Sequence, residues 1–440
     1  MKPSNMTKAV LVLTCLIMVS GCSAKNAKVV AQQRELEFVV KKLDAHPMTS
    51  VAEQLAFRAF ADRELQIAQS PQPNWRIVEI EERLAAWFQD PHTNASALGA
   101  TYRGARSLPV AFDWLSDGLV TLRLRDTPKD VRTGDRVLDI SGVATLTVAQ
   151  RLRALVGGDT IFRRHFAEGE LPTQPTLSGL GLVGPGGNVT LRLERADGSM
   201  FTVDLALRSN ANTLLKAERV AYADFDARYE LPESELKRGH SGADWSWYVT
   251  RRYGFFQLTD CVYDAAYRKA TNAFFQQVAD EHSPVVVLDL QQNSGGYSNV
   301  IIPWLEHLPV RYKMSDKDLG AGNTVASALP LTSPIFTGQL YVLQSNGTFS
   351  SAMWLSEALT GPGLGVRVGS AVGEPTSGYG NPAEYRTPLL HVYFQVSTQW
   401  LPAFKRVAQP TLKAQIPLNL TVADVQHAAN PVARWLATLP

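Results

Sequence analysis

Gly338-Gln-Leu-Tyr-Val-Leu-Gln-Ser-Asn-Gly-Thr-Phe-Ser350-Ser-Ala-Met-Trp-Leu-Ser-Glu-Ala-Leu359 sets the pattern for the C-terminal half of this 440-residue chain. It reads as a short buried strand, Leu340 to Leu343, then a polar turn, then a helix opening at Ser351. A serine at such a junction can cap the helix, which is what serine commonly does there. The same position also suits a nucleophile, because the turn lifts the hydroxyl clear of the sheet. The helix end behind it offers unpaired N–H groups and a positive dipole end to a developing oxyanion. Ser350 is therefore a candidate whose role depends on the rest of the chain.

Around it, strands and helices alternate. Tyr253 to Leu258 reads as a strand, Ala265 to Val278 as a helix, and Val285 to Leu290 as a continuous apolar strand of the kind buried on both faces. Asp289-Leu-Gln-Gln-Asn293-Ser-Gly295-Gly296 follows, then a helix from about Ser298 to Leu308 and a loop over Lys313 to Pro330. This rhythm predicts a mixed, largely parallel sheet with its functional groups on loops past the strand ends. On that reading the Asn293–Gly296 loop and the Ser350 turn can lie side by side.

Upstream, Leu108 to Gly142 is β-rich, with Asp117 to Leu122 alternating like a strand. A helical piece (Thr147 to Val156), a Gly/Pro-rich insertion to Gly187, and a hairpin of Val189–Leu193 with Phe201–Leu207 across Asp197-Gly198 complete the unit. Three helical patterns come before it. Leu36, Val39, Val40 and Leu43 keep helical spacing; Ser50 with Glu53 opens a second helix with a stripe of Ala52, Ala56, Phe60 and Ile67. The third, capped by Asn74, presents Ile77, Ile80, Leu84, Trp87 and Phe88, and Pro91 ends it, leaving His92 on a loop rather than on a buried face.

Composition narrows the function. A hydrophobic content of 45% with 19% charged residues is that of an ordinary globular protein, long enough for two or three domains. The net charge of +2, with no basic run interleaved with aromatics, argues against nucleic acid as a partner. The histidines lack paired metal-ligand spacing, and Gly373–Gly380 lacks the ending of a phosphate loop, so neither a metal nor another cofactor is expected. Cys261 stands alone after a strand and reads as packed; Trp245, Trp247 and Tyr248 read as packing a connector against the last domain. At the amino terminus Lys2 and Lys8 precede an apolar run, Ala9 to Val19, too short to span a bilayer. Val19-Ser20-Gly21-Cys22 resembles the lipobox of bacterial lipoproteins, which implies cleavage before Cys22 and its lipidation. With Ser23 next, the resemblance favours an outer-membrane destination facing the periplasm.

Asp90-Pro-His92-Thr93 after a helix, Gly134-Asp-Arg-Val-Leu-Asp-Ile-Ser-Gly142, Val-Val-Leu-Asp289-Leu-Gln-Gln-Asn293-Ser-Gly-Gly296, Thr348-Phe-Ser350-Ser-Ala and Gly373-Glu-Pro-Thr-Ser-Gly378 occur in one order. That ordered set resembles the C-terminal processing protease and tricorn family of serine peptidases, over nearly all of the chain after the leader. The resemblance implies a multi-domain α/β architecture: leader 1–21, an N-terminal helical domain 22–106 carrying His92, a PDZ-like domain 107–208, a connector 209–244, and a catalytic domain 245–440 of the ClpP/crotonase-like type. It makes Ser350 the nucleophile, with an oxyanion hole from the backbone of Ser351 and of Gly295 or Gly296.

One branch of the family uses a lysine base where this chain has Tyr379, whose phenol, titrating near ~10, is a poor substitute. The resemblance therefore points to the histidine branch and to His92, whose neutral imidazole can take a serine proton. Asp90, Thr93 or Glu374 can orient that ring. The implied activity is hydrolysis of polypeptide segments at the cell envelope. The alternative is a binding role on the same fold, for which the interphotoreceptor retinoid-binding protein is a precedent, or hydrolysis of a non-peptide ester or amide.

Overall fold

The computed structural model describes residues 26–48, 50–97, 105–209, 240–309, 331–361, 363–401 and 411–440. The leader with Cys22, most of the connector 209–244 and all of the Lys313–Pro330 loop lie outside them. The architecture is multi-domain α/β, as expected.

The C-terminal sheet has seven strands. Ile416–Pro417, Gly365–Gly369, Gln339–Gln344, Val285–Asp289 and Tyr253–Leu258 run parallel in that spatial order, and Trp245–Val249 and His240–Ser241 add antiparallel strands at one edge. All five residues of Val285–Asp289 are buried, the consequence of cover on both faces. On one face the helices Ala265–Asp280, Ile301–Glu306 and Ser351–Thr360 pack Phe274, Trp304 and Leu355 onto Phe256, Leu288 and Val342. On the other, Val432 and Leu436 of Pro431–Leu436 cover Val285, Val287, Leu343 and Val368. Trp245, Trp247 and Tyr248 form a strand of this sheet: it pairs with Tyr253–Leu258, and Trp247 and Tyr248 are buried on opposite faces.

The PDZ-like region orders its strands Val110–Trp114, Leu119–Arg123, Arg136–Ile140, Asn188–Glu194 and Met200–Ala206, all antiparallel. The Gly/Pro-rich insertion carries two helices that its composition does not announce. Asp159 accepts from the Phe162 N–H and starts Thr160–Glu170, and Gln174–Gly179 follows with proline in its first turn. These helices cover the edge strand. The Trp114 N–H donates to Glu168 Oε1 at 2.9 Å and the Leu108 N–H to the Pro172 carbonyl at 2.8 Å. An edge already paired in this way does not offer those donors to an incoming peptide strand.

The N-terminal helices, residues 26–43, Val51–Ile67 and Asn74–Ala86, do not form a separate bundle. Their Leu36, Phe57, Ile77 and Leu84 share one core with Val392, Phe394 and Val396 of the hairpin Ala383–Arg386/Tyr393–Val396, to which Asn94–Ser96 adds a third antiparallel strand. The buried stripe of Val51–Ile67 is Phe57, Ala61 and Glu64, one position off the expected alanine-based stripe. Phe57 sets that frame by inserting its ring 5.3 Å from Trp87 and 4.8 Å from Phe88. Asn74 is the first helical residue, with Pro73 at the cap.

Four glutamates lie buried where this layer meets its neighbours: Glu35, Glu79, Glu81 and Glu82. Both oxygens of Glu81 are without a hydrogen-bond partner, and burial, then Glu35 and Glu82, push its carboxyl well above the ordinary range. A carboxyl raised in the folded state ionises first in the unfolded chain. Its contribution is therefore full below the unfolded pKa of ~4.3 and is lost as pH rises from there towards the raised value. Glu81→Gln is expected to match wild type in thermal midpoint at pH 4 and to exceed it increasingly up to pH 8. A midpoint difference independent of pH in thermal unfolding would refute an ionisation cost at this residue.

Candidate active site

Two loops at the carboxyl ends of adjacent parallel strands build the site. Val285–Asp289 pairs with Gln339–Gln344, and the loops beyond are laced together. The Leu290 N–H donates to the Leu343 carbonyl at 2.9 Å, Thr348 Oγ1 to the Leu290 carbonyl at 2.7 Å, and the Phe349 N–H to the Asn293 carbonyl at 3.0 Å. The next residue, Ser350, has φ 53° and ψ −126°, and its side chain makes no capping bond to Ser351–Thr360. A non-glycine residue there costs on the order of 1–3 kcal/mol and survives only where its surroundings enforce it. Helix capping by the Ser350 side chain is thereby excluded, and the sharp strand-to-helix turn presents the hydroxyl instead.

His92 reaches that hydroxyl. Its Nε2 lies 3.0 Å from Ser350 Oγ, across 258 residues of sequence. The histidine is on the loop after Asn74–Ala86, as read, but it is buried, with 4% of its surface exposed. Its ring lies against Phe349 with centroids 4.5 Å apart, and Phe162 of the unexpected helix backs Phe349 at 5.0 Å. Asp90 holds the loop: Oδ1 accepts the His92 N–H at 3.0 Å, while Oδ2 accepts from Thr93 Oγ1 and Ser397 Oγ, each at 2.6 Å, and faces His46 Nε2 at 3.3 Å. Burial pushes the Asp90 carboxyl up, but the hydrogen bonds and the nearby imidazole outweigh it and hold it below the ordinary value. Burial moves the His92 imidazole the other way, below its usual value, against the pull of Asp90 and the Tyr379 backbone.

Glu374 completes the enclosure. Its Oε1 accepts the Ser350 N–H and its Oε2 lies 3.8 Å from His92 Nδ1, an atom with no hydrogen-bond partner. Of the three groups that sequence offers to orient the ring, Asp90 and Thr93 bond to the loop and to each other, and Glu374 faces Nδ1.

The oxyanion donors need a correction. The Gly295 N–H donates to Asn293 Oδ1 at 2.9 Å, so it is not available. Among the described residues, no acceptor takes the N–H of Gly296 or of Ser351. Gly295 serves by its lack of a side chain: at φ 104°, a Cβ there would lie 2.6 Å from the Ser350 Cβ. Ser351 Oγ donates to the Gly296 carbonyl at 2.7 Å, fixing the two loops against each other. Cys261 is buried, its thiol raised by burial and contacting Asn293 Oδ1 at 3.3 Å. No group of His, Cys, Asp or Glu among the described residues is arranged to hold a metal ion.

Residues 252–385, which carry both loops and Glu374, match the family model for peptidase family S41. Over that segment the chain is similar to peptidase family S41. It is a serine-type peptidase. Among solved structures, mature CPAF is similar at 12% identity and a TM-score of 0.62, covering 93% of this chain and 96% of that one. Mature CPAF complexed with lactacystin gives 12% identity and 0.60, covering 93% and 97%. At that identity the likeness establishes a shared fold along nearly the whole length. No curated protein matches the chain.

Around this site, sequence alone does not find His46, Phe162 or Ser397, single residues far from any motif. A cavity of about 370 Å³ opens at the same end of the sheet, between Gln291, Ser345 and Asn346 on one side and Trp114, His165 and Glu168 on the other; Ser350 and His92 do not line it. Gly295→Ala is expected to leave the protein folded yet cut the rate of Ser350 modification by a fluorophosphonate at least about 100-fold, the scale of a lost oxyanion or nucleophile alignment. Unchanged labelling kinetics would show that the close approach of the two loops is dispensable.

Proposed function

We propose that this chain is a lipid-anchored envelope endopeptidase in which Ser350 is the nucleophile and His92 the general base. The observation that carries the reading is the 3.0 Å contact between His92 Nε2 and Ser350 Oγ. As Oγ attacks the scissile carbonyl carbon, its proton passes to Nε2. The carbonyl oxygen takes the negative charge, facing the N–H groups of Gly296 and Ser351. The tetrahedral adduct collapses, the C–N bond breaks, and His92 returns the proton to the departing amine. Water, deprotonated by the same nitrogen, then hydrolyses the ester and frees Ser350. A neutral base is needed at the start, and burial of His92 favours the neutral ring at physiological pH.

The match of residues 252–385 to peptidase family S41 supports polypeptide as the substrate class. Because Glu168 already takes the Trp114 N–H and Pro172 the Leu108 N–H, capture of the polypeptide by strand addition at Val110–Trp114 plays no part in this reading. Anchoring rests on the Val19-Ser-Gly-Cys22 string alone.

The soluble protein starting after Cys22 should react with a fluorophosphonate probe and digest casein, and Ser350→Ala and His92→Ala should each lose both activities. Equal labelling in all three proteins would defeat the dyad. Labelling without digestion of casein or a peptide library would point to a non-peptide ester or amide instead. In cells, the full chain should incorporate radiolabelled palmitate and Cys22→Ser should not; incorporation that survives the substitution would remove the anchor.

A further inference from the structure

We propose that Glu374 is the positioning residue for His92, its carboxylate accepting Nδ1–H while it also fixes the nucleophile's backbone. The proposal rests on the Ser350/His92 reading and names the group that reading lacks. A serine–histidine pair works only when the ring keeps its proton on Nδ1 and offers bare Nε2 to the hydroxyl, which needs an acceptor facing Nδ1.

His92 Nδ1 is buried and has no hydrogen-bond partner. Glu374 Oε2 faces it at 3.8 Å, longer than a hydrogen bond but within ion-pair range. The other oxygen of the same carboxylate takes the Ser350 N–H. One side chain thus touches the backbone of the nucleophile and faces the ring of the base, so it can couple their positions. The Tyr379 backbone also favours the protonated ring but makes no hydrogen bond to Nδ1, and the side-chain rivals are otherwise engaged. Asp90 uses both oxygens on the His92 N–H, Thr93, Ser397 and His46. Thr93 Oγ1 donates to Asp90 and accepts the Ser397 N–H.

Electrostatics give this role a signature. Burial, above all, pushes the Glu374 carboxyl up to about 8; Asp90 and Asp159 add to the rise, and the Ser350 N–H opposes it. At neutral pH Glu374 then holds a proton, and nothing anionic faces Nδ1. As pH rises through that value the proton leaves to solvent, the carboxylate accepts Nδ1–H, and Nε2 is left bare towards Ser350 Oγ. Glu374→Gln keeps an oxygen for the Ser350 N–H but cannot ionise, and its amide can donate to Nδ1 and hold the wrong tautomer.

The test is the pH dependence of fluorophosphonate labelling from pH 5.5 to 9.5 for wild type, Glu374→Gln, Glu374→Asp, His92→Ala and Ser350→Ala, with thermal unfolding of each. The wild-type rate should rise through a limb near pH 8. Glu374→Gln should be at least about 100-fold slower and lack that limb, and Glu374→Asp should recover at least tenfold over Gln and regain a limb. A Gln variant within threefold of wild type, or one that keeps the limb, overturns the assignment. Should the Gln variant not fold, a folded Asp variant that lacks the limb overturns it equally. If Ser350→Ala or His92→Ala labels like wild type, the dyad falls and Glu374 with it. If both are inactive while Glu374→Gln is unchanged, only Glu374 falls.

Discussion

The hydrogen bonds between the 290–296 and 345–350 loops are the constraint from which the rest of the site follows. Two parallel strands end side by side, and three bonds (Leu290 to Leu343, Thr348 to Leu290, Phe349 to Asn293) leave Ser350 no room to continue the strand. The chain turns through φ 53° at Ser350 and enters Ser351–Thr360 with its hydroxyl outward. The same lacing brings Gly295 against the Ser350 Cβ and ties Gly296 to Ser351. The Ser350 hydroxyl, the close-approach glycine and the free N–H groups are thus one rigid object built from two strand ends, and strain at one residue is held by packing at many.

His92 comes from elsewhere, and its support is correspondingly elaborate. The 89–93 loop is carried by the helical layer, yet its hub, Asp90, bonds forward to Ser397 and back to His46. The three-stranded sheet that joins Asn94–Ser96 to Tyr393–Val396 puts those partners in place. A helical layer that shares its core with a hairpin some 300 residues later cannot rotate independently of the catalytic sheet. This accounts for how a contact of 3.0 Å is kept between residues so far apart in sequence. Phe162 and Phe349 add an aromatic wall that removes water from the ring.

What the sequence disclosed, and what it hid, divides along range of interaction. The strand at Val285–Asp289 and the strand–turn–helix at Ser350 were legible because burial and dipole effects act over a few adjacent residues. Ser350 and His92 were legible as candidates because both stand in short strings of distinctive chemistry. The helix Thr160–Glu170 was missed because its glycine- and proline-rich flanks masked the cap at Asp159. The stripe on Val51–Ile67 slipped by one residue because alanine marks both exposed and buried faces, and only contact with Trp87 and Phe88 shows which phenylalanine points inward. Gly295 could not be separated from Gly296 as a donor, since the Asn293 side chain that takes its N–H acts through geometry rather than through spacing.

Two acids flank His92, and their environments push them in opposite directions. Asp90 and Glu374 are both buried, so both bear the desolvation that raises a carboxyl. Asp90 is brought back down by donors on both oxygens, which makes it a permanent anion suited to hold a loop. For Glu374, the backbone donor that lowers its carboxyl is the Ser350 N–H, and the neighbouring anions Asp90 and Asp159 repel a further charge. An acid so poised changes state within the physiological range, whereas a fully bonded one does not. The number of donors around each oxygen, more than its distance from the ring, therefore decides which acid is scaffold and which can respond to a proton moving on His92.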